Sequence, residues 1–211
     1  MGEGLRRWLE QIAEEAEEDF EMRNRLRDQA LQQSRMLIRH CSRAIRAGHR
    51  NEWEAAEALL TQANATGRQL QEMLASYPDL YHAGYTQDAF KEWVEARLTL
   101  ALLGGRPLPF PEELGVPHAT FLNGLCEAAS ELRRRCLDLM RRGEMAEAEQ
   151  LLDVMDAVYE ALMAFGYPDV VTGGLRRRVD QLRGVLERTR GDLTNSLQMH
   201  QLAEALAALD V

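Results

Sequence analysis

No stretch of this 211-residue chain is apolar for long enough to form a membrane-spanning helix, so no membrane role is expected. Aromatic residues make up only 6% of the sequence, and no segment of useful length alternates apolar with polar, which removes the pattern that a Rossmann-type or other sheet-based fold requires. There are six prolines, and most lie between periodic stretches rather than inside them. Cysteine is equally sparse. Cys41, Cys126 and Cys136 are odd in number, have no CxxC spacing and fall in helical contexts, so neither a disulfide framework nor a zinc site is expected. The start, MGEGLRRWLEQIAEEAEE, is charged throughout and lacks the apolar core of a secretory signal. A reduced, cytoplasmic setting is the expectation. Lysine is nearly missing as well. Of 25 basic residues only Lys91 is a lysine, and the rest are arginines, whose planar fork suits bidentate phosphate contacts.

What is present is helical. Leu, Ala, Glu and Arg dominate, and 45% of residues are hydrophobic, enough for one substantial core. The periodicity predicts a long helix over 3–48, with Leu26, Ala30, Leu37, Cys41, Ala44 and Ile45 as its apolar stripe and Gly48 as its stop. A second helix follows from a cap at Asn51 to about Leu74. Others are expected over 86–103, 118–142 (ended by Gly143), 145–165 and 175–209. SYPDLYHAGYT and GYPDVVTGG read as connectors, and GGRPLPFPEELGVP as the one long irregular loop. With no internal repeat and no linker, residues 1–211 form a single domain: an all-α bundle of about six or seven antiparallel helices.

Two glutamate pairs carry the chemistry. Glu92 and Glu95, in KEWVEARLTLALL, are spaced i, i+3. Glu127 and Glu131, in LNGLCEAASELRRRCLDLM, are spaced i, i+4. Each spacing puts both carboxylates on one helix face, away from the apolar stripe, with Asp88 and Thr99 on the same side as the first pair. Acidic residues in such positions are commonly just solvated. If the two helices pack side by side, however, four carboxylates converge, repel one another and raise one another's pKa. A hard divalent cation, Mg²⁺ or Mn²⁺, removes that conflict. A ferritin-like di-metal site needs Glu-x-x-His, and no histidine here lies three residues after a glutamate. An all-α nucleotide pyrophosphohydrolase shares the first ExxE, but its second motif is ExxD and its chains are shorter.

The sequence resembles the translin/TRAX family, in its prokaryotic or archaeal form, from about Arg25 to Leu193. The stretches that carry the likeness are YPDLYHAGYTQDAFKEWVEA, ELGVPHATFLNGLCEAASELRRRCLDLM, RRGEMAEAEQLLDVMDAVYEAL and GYPDVVTGGLRRRVDQLRGVLERTRGDL. The resemblance implies an all-α bundle that assembles into a hollow octamer and binds RNA or single-stranded DNA inside. It also implies that TRAX-type subunits are metal-dependent ribonucleases, whereas translin-type subunits bind without cleaving. The TRAX pattern, ExxE then DxxxE, matches at Glu92, Glu95 and Glu131 and departs at Glu127, where the family commonly has Asp. Glu92, Glu95, Glu127 and Glu131 are thus the expected metal-binding and catalytic residues of an endoribonuclease acting on single-stranded or short RNA. A non-catalytic nucleic-acid-binding protein is the alternative, and an all-α nucleotide pyrophosphohydrolase the further one.

The net charge of −9 argues against a generic nucleic-acid coat, so the placement of arginines matters. Arg35, Arg39, Arg43 and Arg46 recur at helical spacing, with His40 beside them, and could track a phosphate backbone. The alternative is a solvated face balancing the acidic start. Arg97, Arg134 and Arg135 lie close in sequence to the glutamates. The runs 133–135 and 176–178 wrap their helices, so only part of each can face a ligand. On the last helix, Leu175, Val179, Leu182, Leu186 and Leu193 are core, and the apolar continuation to Leu209 suits a contact between subunits.

Overall fold

The computed structural model describes residues 2–209, and among them there is no strand. Six long helices of these residues carry the fold: α1 (Gly2–His49), α2 (Trp53–Leu74), α4 (Gly84–Gly104), α6 (His118–Arg142), α7 (Met145–Met163) and α9 (Leu175–Leu209). Three single-turn helices sit in the connectors: α3 (Pro78–Tyr81), α5 (Pro111–Leu114) and α8 (Asp169–Thr172). Pro78 and Pro111 each open one of these turns, where a missing N–H costs nothing.

Consecutive long helices joined by short turns, α1–α2 and α6–α7, run antiparallel. The 105–117 loop instead carries the chain back along α2, where Arg68 and Gln71 donate to the Leu114 carbonyl. As a result α4 and α6 run parallel. Gln87 meets Thr120, and one turn on Lys91 meets Glu127. α9 follows the same direction, since Arg178 meets Asn123 and Asp192 meets Arg133.

α4 is the central element. Its buried residues, among them Ala89, Phe90, Trp93, Val94, Ala96, Leu98, Leu100 and Ala101, cover most of its circumference because α1, α2 and α6 surround it. Burying each large apolar side chain of this kind contributes about 1.5–3 kcal/mol. Trp93 fixes the rotation of the helix. Its ring lies against Gly67 of α2, where a Cβ would fall 2.7 Å from the ring, and its Nε1–H donates to Asn64 Oδ1 at 2.8 Å. A second apolar layer joins Leu132, Cys136 and Leu139 of α6 to Leu152 and Met155 of α7 and Leu186 and Leu193 of α9. The expected core residues Leu175, Val179 and Leu182 are buried with Cys126, Ala129 and Leu162.

Three sequence expectations are corrected. The bundle is not antiparallel throughout, because the return of the 105–117 loop along α2 sets α4 and α6 parallel. Gly48 does not stop α1, which continues through His49; a Cβ on Gly48 would collide with Leu100, so the glycine serves the close approach of α1 to α4. Asn51 does not cap α2. It takes a left-handed conformation (φ 59°) in the turn, Glu52 occupies the cap position without a side-chain hydrogen bond, and the Asn51 side chain accepts from Arg135. All three cysteines are buried and free. Burial pushes the Cys126 and Cys136 thiols up to about 12 and about 11, and Cys41 higher still, which makes them inert. Among the described residues no helix is long and apolar enough to cross a membrane.

Candidate metal centre

With Trp93 turned toward α2, Glu95 and Lys91 point to the opposite side of α4, into the groove between α1 and α6. Gly124 lets α6 close on that groove. A Cβ there would lie 2.7 Å from Val94 and 2.8 Å from the Lys91 carbonyl oxygen. The close approach brings one carboxylate oxygen each from Glu92, Glu95 and Glu127 within 4.8 Å of one another.

Glu95 is half-buried. Burial first, then the negative charges of Glu92 and Glu127, push its carboxyl pKa up to about 8; Lys91 opposes the shift and Glu131 adds to it. Cys41 of α1 closes the groove from the third side, and its thiol senses Glu92 and Glu95. Lys91, 8% exposed, bridges the cluster. Its ammonium donates to Glu92 Oε1 at 2.9 Å and to Glu127 Oε2. Desolvation pulls the Lys91 pKa down, but the two carboxylates outweigh it and the net shift is upward. On the far side of Glu127, Arg178 Nε donates to Oε1 at 2.9 Å, and Arg178 Nη1 donates to Asn123 Oδ1 at 3.0 Å. Asn123 is held in turn through the Ala119 and Thr172 carbonyls.

Three of the four sequence-named glutamates therefore converge, and the fourth is held apart from them. Glu131 sits one turn past Glu127 and is close enough to act on Glu95, but its Oε1 lies 2.8 Å from Nε2 of the buried His49. His49 Nδ1 has no partner among the described residues. The helical spacing of Glu127 and Glu131 puts both on one face. It carries no sign that a histidine 82 positions away claims Glu131. Nor does spacing single out Lys91, His49 or Arg178 as site residues. A lone lysine beside an ExxE is the one available hint.

Of the other arginines, Arg133 pairs with Asp192, Arg134 is exposed, and Arg97 has a buried Nε without a partner among the described residues. Arg35, Arg39, Arg43 and Arg46 are all exposed on α1, and among the described residues none pairs with a carboxylate. Arg35, Arg39, Ser42 and Arg46 step by four, three and four residues and arrive, three further on, at His49, so this ridge ends at Glu131. The charges of Arg43 and Arg39, after burial itself, hold the His40 pKa below its ordinary value.

A helical bundle whose parallel α4 and α6 bring three carboxylates together beside one buried lysine and one arginine defines an all-α protein with an acidic cluster of a kind that could hold a metal ion. No known family profile matches the chain. The uncharacterized protein MJ0175 of Methanocaldococcus jannaschii is 30% identical over 189 residues, which cover 88% of this chain and 83% of that protein. The crystal structure of AfC3PO is similar at a TM-score of 0.82 and 32% identity, covering 89% of this chain and 97% of the other. AfC3PO in its complex with duplex RNA gives 0.78 at 33% identity over the same shares. Apo-NeC3PO, at 19% identity and a TM-score of 0.79 over 87% and 96% of the chains, shares the fold. The chain belongs to the translin/TRAX-like (C3PO) family.

Proposed function

We propose that this protein is a divalent-metal-dependent endoribonuclease that acts on short or single-stranded RNA within a closed homo-oligomer of about eight chains. The observation that carries the reading is the convergence of Glu92, Glu95 and Glu127 beside two cations. RNA as the substrate is supported by the likeness to AfC3PO, whose structure has been solved with duplex RNA.

The donor set fits a hard cation such as Mg²⁺ or Mn²⁺. It is all oxygen and it is crowded, and burial with the charges of Glu92 and Glu127 pushes the Glu95 carboxyl up to about 8 in spite of Lys91. Glu92, Glu95 and Glu127 would hold the ion, which when bound polarises a phosphate oxygen and lowers the pKa of water. The chain's own groups do the rest. Glu131, oriented by His49 and standing outside the trio, accepts a proton from the attacking water. Lys91 and Arg178 stabilise the charge that builds on the phosphate. The arginine ridge on α1 leads the phosphate backbone toward Glu131.

Assembly is supported by apolar surface left uncovered at both ends of the chain. Leu5, Trp8, Leu9, Ile12 and Phe20 on α1 are exposed, as are Met199, Leu202 and Leu206 on α9. A closed shell would put the arginine ridges inside and leave net acidity outside, reconciling a charge of −9 with RNA binding.

Lys91 favours a second reading, RNA binding without cleavage, because its ammonium already offsets Glu92 and Glu127 without any metal. Incubating end-labelled single-stranded RNA with Mg²⁺, Mn²⁺ or EDTA separates the two. The nuclease reading requires internal cleavage that EDTA abolishes. Binding with no cleavage under any metal would leave the second reading. Light scattering on the same sample should give the mass of about eight chains, and a strict monomer at micromolar concentration would remove the enclosed-RNA arrangement.

A further inference from the structure

Beside the carboxylate trio, on the side of α8, lies a cleft of about 500 Å³, well within the roughly 300–1,000 Å³ range of small-molecule sites. It shares a wall with the metal centre. Lys91 and Arg178 line the cleft and also hold Glu127. A group bound in it would therefore sit directly next to any phosphate presented to the trio.

The rest of the lining is chemically divided. Pro117 and Ala119, at the start of α6, and Val170 and Val171, on α8, give it aliphatic walls. The two valines are 93% and 61% exposed, so apolar surface faces the opening with nothing on it. Most polar groups in the lining are already engaged. Thr120 bonds to Gln87, and Asn123 is held by two backbone carbonyls and Arg178. They form a rigid frame rather than ligands. Asp88 differs. It is exposed, it has no side-chain hydrogen bond or ion pair among the described residues, and it stands one turn before Glu92 on the same stripe of α4. The cleft thus offers cations on the side of the carboxylates, flat aliphatic surface opposite, and two side chains without a hydrogen bond among the described residues, the His82 imidazole and the Asp88 carboxylate, of which Asp88 is on the stripe that leads to Glu92.

That combination matches a ribonucleoside attached to a phosphate. The phosphate faces the cations, the base lies against the aliphatic walls, and a sugar hydroxyl donates to the carboxylate. We infer that the cleft seats the ribonucleoside adjoining the phosphate presented to Glu92, Glu95 and Glu127, and that Asp88 accepts a hydrogen bond from its 2′-hydroxyl. The inference rests on the reading of the trio as a site for an RNA phosphodiester. It adds where the chain distinguishes RNA from DNA, since the 2′-hydroxyl is the group by which a protein tells them apart at a given position.

Two blocking variants test the site independently. Ala119 is half-buried on the cleft wall and belongs to none of the apolar core clusters. Gly84, at the first position of α4, has open space where a Cβ would stand. Ala119→Trp and Gly84→Phe therefore both fill the cleft from its rim. Adenosine 5′-monophosphate and its 2′-deoxy analogue are titrated into each protein in Mg²⁺. Manganese binding, followed by electron paramagnetic resonance, and the oligomer mass serve as checks on the fold and the metal centre. Wild type should bind the ribonucleotide about tenfold more tightly than the deoxy form, the scale of one hydrogen bond. Both blocking variants should lose at least about tenfold in affinity with manganese binding unchanged, and Asp88→Ala should bring the ribo/deoxy ratio close to one. Failure of wild type to bind the nucleotide, or binding that both blocking variants leave intact, overturns the inference. If nucleotide binding follows the expected pattern but wild type cleaves no RNA in Mg²⁺ or Mn²⁺, the nuclease reading falls and the subsite stands. If RNA is cleaved with the same kcat/KM by wild type and both blocking variants, the subsite falls and the nuclease reading stands.

Discussion

Replacing Glu95 with glutamine should stabilise the metal-free protein, and by an amount that grows with pH. The carboxyl of Glu95 has its pKa pushed from an ordinary 4.5 up to about 8, chiefly by burial and then by Glu92 and Glu127. Below pH 4.5 the group is protonated in both the folded and unfolded chain, so its contribution to stability is at its fullest. Between 4.5 and about 8 the unfolded chain releases the proton while the folded chain keeps it, and stability falls by about 1.4 kcal/mol per pH unit. Above 8 the folded protein must hold a third negative charge in the groove, and the loss levels off. A glutamine side chain cannot ionise. The Glu95→Gln variant should therefore match wild type at pH 4, exceed it by about 3 kcal/mol at pH 7 and approach a ceiling of about 4–5 kcal/mol above pH 8. Urea unfolding of both proteins in EDTA, at one fixed protomer concentration and several pH values, measures the difference, and ionisations common to the two cancel. Mg²⁺ should reverse the order, because wild type gains the free energy of binding an ion that the variant holds poorly. At pH 7 wild type should release close to one proton per metal bound, and the variant none. A stability difference that does not change between pH 4 and 8 would refute both the buried, crowded state of Glu95 and the argument for a cation that follows from it.

Glu131→Gln keeps size and helix propensity but cannot take a proton; cleavage should fall at least about 100-fold while manganese binding and oligomer mass persist, and Glu144→Gln, outside the groove, should change neither. Replacing Arg35, Arg39 and Arg43 together with Gln should weaken RNA binding and reduce the slope of log affinity against log salt by about two, at roughly 0.7 per lost single-strand phosphate contact; an unchanged slope in an assembled variant would assign these three arginines to plain solvation. Gly124→Ala introduces a methyl where Val94 and the Lys91 carbonyl already stand, so chemical unfolding should show a loss of about 1–3 kcal/mol, and metal affinity should drop as α4 and α6 separate.

The helices and the identity of the acidic residues are legible along the chain because both depend on local spacing. Periodicity of three and four residues marks α1, α2, α4, α6, α7 and α9 to within a few positions, and it puts Glu92 with Glu95 and Glu127 with Glu131 on single faces. The same rule misjudges what lies beyond those faces. Glu92 and Glu95 look solvated on a helical wheel. They stand in a groove because α1 and α6 close around α4, and the wheel of one helix carries no information about its neighbours.

Local reading also misses the roles of Gly48 and Asn51. It takes a stop signal and a cap from residue type, where Leu100 and Arg135 from other helices decide the outcome. The sequence by itself determined an all-α chain, the carboxylates that could bind a cation, and the family to which it belongs. Only the tertiary structure decided that three glutamates meet while His49 holds the fourth, that Lys91 and Arg178 complete the groove, and that Asp88 stands free at the mouth of a cleft beside it. The physical reason is distance along the chain. Helical spacing fixes neighbours three and four residues apart, whereas the partners here lie 36, 51 and 82 residues apart and are brought together by the parallel alignment of α1, α4, α6 and α9.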